Sequence, residues 1–163
     1  MYVFDDCKRG DFPLRISIDI FVERGKEMSH YYFGNTNRQK GSRYEIEMLD
    51  QHKFSAYGTT KEHVLQIEKG DIIFWYASGI GVIGGGIADG VSYKKESDGK
   101  LEYEFFQHLT SVRFFIQPLP YRKLIKLIPD LRVLNGTLLK LNATDGEKLW
   151  NYLIVHGVEA QIG

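Results

Sequence analysis

The sequence predicts a small α+β fold, a mostly antiparallel open β-barrel with flanking short helices. Three observations carry this. Five or six short apolar runs read as strands. The connections between them are too short for repeated helical crossovers. One run holds six glycines between Gly79 and Gly90, and barrel closure needs such bends.

The elements follow in order. Ile16 to Val22 alternates and then runs apolar, which predicts a strand. The charged patch Glu23 to Glu27 follows. Met28 stands where a translation start would fall, leaving residues 1–27 as an appendage or extra strand before a domain over 28–163. Tyr31-Tyr32-Phe33 reads as a short buried strand ending in the turn and cap residues Gly34 to Asn37. Tyr44, Met48 and Leu49 are spaced for a helix over Tyr44 to Gln51. Phe54 to Gly58 breaks it. Thr60 is placed to cap a second helix over Glu62 to Ile67, stopped at Lys69-Gly70. Asp71 to Tyr76 and Ile80 to Ala88 predict an antiparallel hairpin through Ser78-Gly79. Ser97 to Lys100 is a turn. Tyr103 to Phe106 and Val112 to Gln117 read as two strands or one bent one, ended by Pro118 and Pro120. Tyr121 to Ile128 has helical spacing, and Leu138 to Leu141 is a short apolar segment. Thr144 with Glu147 reads as a capping box for a last helix bearing Leu149, Trp150, Leu153 and Ile154.

Composition sets bounds. The chain has 163 residues, 43% hydrophobic and 13% aromatic. That suits one domain with a packed core and is short of the roughly 250 residues of a (β/α)₈ barrel. Charges balance at 21 each, which excludes a histone-like basic coat. The balance conceals a local excess: Arg113, Arg122, Lys123, Lys126, Arg132 and Lys140 stand against Asp130 alone, a net +5. Cys7 is the single cysteine, so neither an intrachain disulfide nor a cysteine zinc site is expected. A reducing, cytoplasmic setting fits. No apolar run reaches the roughly 18 residues of a membrane span. The five histidines lack i, i+3 or i+4 pairing, so no metal is expected, nor any cofactor; His52, beside Phe54 to Tyr57, is placed to touch a ligand.

Gly79-Ile80-Gly81-Val82-Ile83-Gly84 matches the dinucleotide pattern G-x-G-x-x-G. The chemistry requires a helix N-terminus to hold the pyrophosphate. Gly85 and Gly86 follow at once, and each glycine costs a helix about 1 kcal/mol relative to alanine. A bent strand is the reading that survives. No nucleophile elbow or Walker loop occurs.

The order of these elements resembles the PUA-like superfamily, and within it the EVE and YTH-like domains, from about Tyr31 to Leu153. The clearest part is Val64 to Tyr76: a helix, then the punctuation Lys69-Gly70-Asp71, then an apolar strand, with Gly81 to Gly84 returning. Leu134 to Leu139 and the last helix fall where the family has its final strand and helix. The resemblance implies a reader of modified nucleobases in DNA or RNA, with the base flipped between barrel and helices. Partner proteins of a restriction or RNA-modification system are also implied. By motif position the pocket would be lined by Asn35, Thr36, Asn37, Ser55, Ala56, Tyr57, Trp75, Ser78 and Asn135. The aromatic of the family's C-terminal pocket wall is replaced by Thr137 or Leu138.

The residues agree with that implication. A flipped base needs a flat wall, groups for its edge, and cations outside for phosphates. Tyr57 and Trp75 are the wall candidates. Trp75 and Tyr76 point to opposite faces of a strand, and a place in the core is the competing role for both. Asn35, Asn37 and Ser78 are the edge candidates. Arg38, Arg43, Arg122, Lys123 and Lys126 are the phosphate candidates. Two other readings stay open. One is a hydrolase of modified nucleosides, as in the ASCH-like relatives that use a Lys, a Thr and a Glu; Lys61, Lys69, Thr59, Thr60 and Glu62 are on offer in no matching pattern. The other is a protein-interaction module with a vestigial pocket.

Overall fold

The computed structural model describes residues 29–131 and 134–161. The strand expected at Ile16 to Val22, and Arg132 of the basic stretch, lie outside the described residues.

Strand β1 (Tyr31–Asn35) is followed by a 3-10 turn at Arg38–Lys40, helix α1 (Ser42–Asp50) and strand β2 (Lys53–Tyr57). A 3-10 segment (Gly58–Gln66) leads to β3 (Ile72–Ala77) and β4 (Gly81–Ala88). Next come β5 (Tyr93–Ser97), the long β6 (Lys100–Leu119) and helix α2 (Tyr121–Leu127). Strand β7 (Leu138–Leu141), helix α3 (Ala143–His156) and β8 (Gly157–Glu159) follow. The sheet runs β2-β6-β4-β3-β1-β7, with β5 and β8 also on β6, and curls into an open half-barrel. Only β1 with β3 is parallel among the described pairs. This is the α+β open barrel the sequence predicts.

Alternation along the central strands sends side chains to two cores. Tyr32, Ile73 and Trp75 join Met48, Phe54, Ala56, Val64 and Phe105 on one face. Phe33, Ile72 and Phe74 join Leu124, Ile128, Leu149 and Leu153, under α2 and α3, on the other. A period-2 strand buried on both faces produces this division.

The glycine cluster is structural. A Cβ on Gly84 would lie 2.2 Å from the Arg113 carbonyl oxygen, and one on Gly85 would lie 2.7 Å from that of Ile73. The register of β4 against β6 shifts on both sides of this pair. Strand β4 is thus bent and pressed between its neighbours, which only residues without side chains permit.

The Lys69-Gly70-Asp71 signature also has a physical basis. The buried Asp71 carboxylate accepts from the Glu68 and His30 backbone N–H groups, at 2.8 and 2.9 Å. It ties the turn before β3 to the start of β1. Gln107, fully buried on β6, donates to the Val64 and Ile67 carbonyls and so fixes the 3-10 segment to the sheet.

Four expectations are corrected. The helix expected at Glu62 to Ile67 is a 3-10 segment that begins at Gly58. Thr60 donates to the Tyr57 carbonyl at 3.1 Å and caps nothing. The break at Phe54 to Gly58 is strand β2, pinned by β6. The last helix is capped by Asn142, whose Oδ1 accepts from the Asp145 N–H at 2.8 Å, and not by Thr144.

Candidate functional site

Strands β2 and β6 and helix α1 enclose a cavity of about 260 Å³. Its lining is Asn37, Lys40, Tyr44, Tyr57, Gly58, Thr59, Thr60, Lys100 and Tyr103. Tyr57 ends β2 and packs on the first core. Tyr44 comes from α1, with its ring centroid 4.6 Å from that of Tyr57 at 59°. Tyr103 on β6 has its ring centroid 6.4 Å from that of Tyr57. Three phenol rings from three elements thus line one hollow. Gly58 makes this possible. Its φ is +58°, and a Cβ there would meet the Tyr103 ring at 3.1 Å.

The hollow rests on a charged layer. Lys53 is fully buried, yet its Nζ reaches Glu104 Oε1 at 2.6 Å and Glu47 Oε1 at 2.9 Å. Ser55 donates to the same Glu104 oxygen at 2.6 Å, and Lys95 reaches Glu47 at 2.5 Å. Burial opposes ionisation of Glu47, but hydrogen bonds from Lys53 and Lys95 outweigh it and hold its carboxyl below the usual range. The Tyr57 hydroxyl is buried without a hydrogen-bond partner among the described residues. Burial, with Glu104 nearby, pushes its pKa far above the ordinary phenol value.

At the mouth, the β5–β6 turn reaches α1. Asp98 accepts from the Tyr44 hydroxyl at 2.5 Å and from the Arg43 guanidinium. The Tyr44 hydrogen bond, supported by Arg43, keeps the Asp98 carboxyl below its usual range.

The expected pocket residues divide. Asn37 and Tyr57 line the cavity. Thr36 is fully buried and donates to Glu45 at 2.6 Å, anchoring the segment that carries Asn37. Ser55 and Ala56 are fully buried; Ser55 is hydrogen-bonded to Glu104, and Ala56 packs in the first core. Trp75 is a correction. It is fully buried, donates Nε1–H to the Lys53 carbonyl at 3.0 Å, and stacks on Phe114 at 5.6 Å and 7°. It is core because both faces of β3 are covered. Asn35 and Asn135 border a separate cleft with Tyr76, of about 10 Å³, too small for a base. Ser78 lies in the β3–β4 turn and lines neither space.

The phosphate candidates divide as well. Arg38 pairs with Glu45 at 3.2 Å, and Arg43 with Asp98. Arg122, Lys123 and Lys126 are exposed on α2, whose Leu124 belongs to the opposite core. They are not gathered with the tyrosines. The cations that line the cavity are Lys40 and Lys100. Sequence reading missed both, along with Tyr103 and the site role of Tyr44. Tyr103 beside the turn Ser97 to Lys100 was the available signal.

A larger groove of about 690 Å³ lies elsewhere, lined by His52, Leu109, Thr110, Ser111, Val112, Glu159, Ala160 and Gln161. His52 therefore does border a space. Its ring lies 6.1 Å from that of Phe114, and the groove presents no aromatic pair of its own. Of the Lys, Thr and Glu set, Thr59 and Thr60 line the tyrosine cavity. Lys61 is committed to the Glu102 carbonyl at 2.8 Å, and Lys69 packs against Gly90. Among the described residues no cluster of His, Cys, Asp or Glu is arranged to hold a metal, and no helix is long and apolar enough to cross a membrane.

No protein-family model and no curated protein matches this sequence. Solved structures do match the fold. A hypothetical protein from Leishmania major superposes with a TM-score of 0.55 at 13% identity, over 79% of this chain and 97% of that one. The YTH domain of Mmi1, solved in complex with RNA, superposes with a TM-score of 0.53 at 7% identity, over 78% of this chain and 79% of that one. At these identities the likeness to both structures is one of overall fold.

Proposed function

We propose that this protein is a non-catalytic nucleic-acid-binding module that takes a single modified base into the tyrosine cavity. The observation that carries the reading is the convergence of Tyr44, Tyr57 and Tyr103 on one hollow with two lysines beside it. Phenol faces stack on any base, and such contacts contribute about 1–3 kcal/mol each. Asn37 has the amide donors and acceptor that a base edge needs. The volume of about 260 Å³ falls just under the range of about 300–1,000 Å³ of drug-sized sites, which suits one base and not a base pair. Lys40 and Lys100 supply charge for the flanking phosphates. A fold shared with an RNA-bound YTH domain supports the same reading.

The test is titration of methylated and unmethylated DNA and RNA oligonucleotides across a salt series. Binding that weakens with salt and favours one modified oligonucleotide is expected. Absence of binding, or binding indifferent to salt, overturns the proposal.

A further inference from the structure

We infer that the tyrosine cavity selects electrically neutral modified bases and rejects cationic ones. This rests on the proposed base-binding role and goes further by naming the charge class of the ligand. A cluster of phenol rings does not decide that by itself. Aromatic faces attract methylated cations as readily as they stack on neutral bases. The charge around the rings decides it.

Among the described residues, the cavity lining includes two lysines and no carboxylate. Lys100 Nζ already lies over the Tyr103 ring, 5.1 Å from its centroid. One face of that ring is therefore already matched by a cation. Lys40 lines the same hollow. The acidic group at the mouth, Asp98, is consumed by Arg43 and by the Tyr44 hydroxyl. Below the floor, Glu104 and Glu47 are engaged with Lys53, Lys95 and Ser55. These three carboxylates are thus matched by cations, and the two ammonium groups on the cavity wall are left to set the field. A cationic base entering this space meets like charge in a partly desolvated site, where Coulomb repulsion is weakly screened. A neutral base meets none, and its own phosphates are drawn to the same lysines.

Isomeric bases provide the experiment, because they hold size and composition constant while changing charge. Oligonucleotides carrying N6-methyladenine or 5-methylcytosine, both neutral, are compared with those carrying 1-methyladenine or 3-methylcytosine, both cationic at neutral pH, at one central position. The expected result is at least tenfold tighter binding of a neutral isomer than of its cationic partner. In a Lys40→Gln/Lys100→Gln variant that ratio should shrink to about threefold or less. Equal or tighter binding of the cationic isomers overturns the inference while leaving a base-binding cavity in place. A ratio unchanged in the double variant overturns the assignment to these lysines. If no modified oligonucleotide binds better than the unmodified one, and Tyr57→Ala has no effect on binding, the base-binding role itself falls and the inference with it.

Discussion

The two faces of the central sheet both bury a large apolar cluster but treat charge in opposite ways. Under α2 and α3 the core of Phe33, Phe74, Leu124, Ile128, Leu149 and Leu153 is wholly apolar, and its lysines and arginines stay on the outer surface of α2. On β2 and β6, Lys53, Ser55 and Glu104 are buried beside Glu47 of α1, and Gln107 is buried against the 3-10 segment. The first face is closed. The second opens into a cavity floored by a buried ion pair. Buried charges in an otherwise apolar layer are costly, and here Glu104 and Glu47 lie near Tyr57 of the tyrosine cavity. The difference separates a supporting face from a working one.

Substitutions can break this comparison. Glu104→Ala should have the largest effect. It leaves the Lys53 ammonium buried without its closest partner, which costs about 3–5 kcal/mol, read as a lowered midpoint in denaturant unfolding. On the closed face, Leu124→Ala should cost about 2–5 kcal/mol by leaving a void in the core, while leaving oligonucleotide affinity of the folded fraction unchanged. Tyr57→Ala should weaken binding of a modified oligonucleotide about 10- to 100-fold, equivalent to roughly 1–3 kcal/mol of lost stacking. Tyr57→Phe should be neutral or slightly stabilising, because its hydroxyl is buried without a hydrogen-bond partner among the described residues. Replacing Arg122, Lys123 and Lys126 together by glutamine should change affinity by no more than about twofold, since α2 covers the opposite face.

The smallest effect is that of pH. The carboxyl of Glu47 titrates below its ordinary value of 4.5 in the folded protein. Its contribution is therefore present above that value and lost as pH falls through the lower, folded one. The melting temperature should drop on acidification below about pH 4.5, and Glu47→Gln should flatten the drop.

Much of the fold was legible in the sequence because central strands carry their own pattern. The run from Ile72 to Tyr76 announces a buried strand, and Gly84 to Gly86 announces a bend rather than a phosphate loop. The site was less legible. Trp75 reads as a pocket wall until β6 places Phe114 against it, which is a tertiary fact. Tyr44 and Tyr103 are 59 residues apart in sequence and meet around Tyr57 only through the β2–β6 pairing. Nothing local to Lys53 says that Glu104 waits opposite. Strands β5 and β8 escaped notice because their burial is slight and β6 alone organises them. Thr144 with Glu147 fits the same local rule as Asn142, so the sequence alone does not separate the two caps.

Backbone amide shift mapping gives the most direct test of the tyrosine cavity as the base site. An oligonucleotide bearing one modified base is titrated into labelled protein. Shifts concentrated at Asn37, Lys40, Tyr44, Gly58 to Thr60 and Tyr103, with Arg122 to Lys126 unmoved, are predicted. Shifts concentrated on α2 or along the His52 groove, with the tyrosine cavity silent, would contradict it.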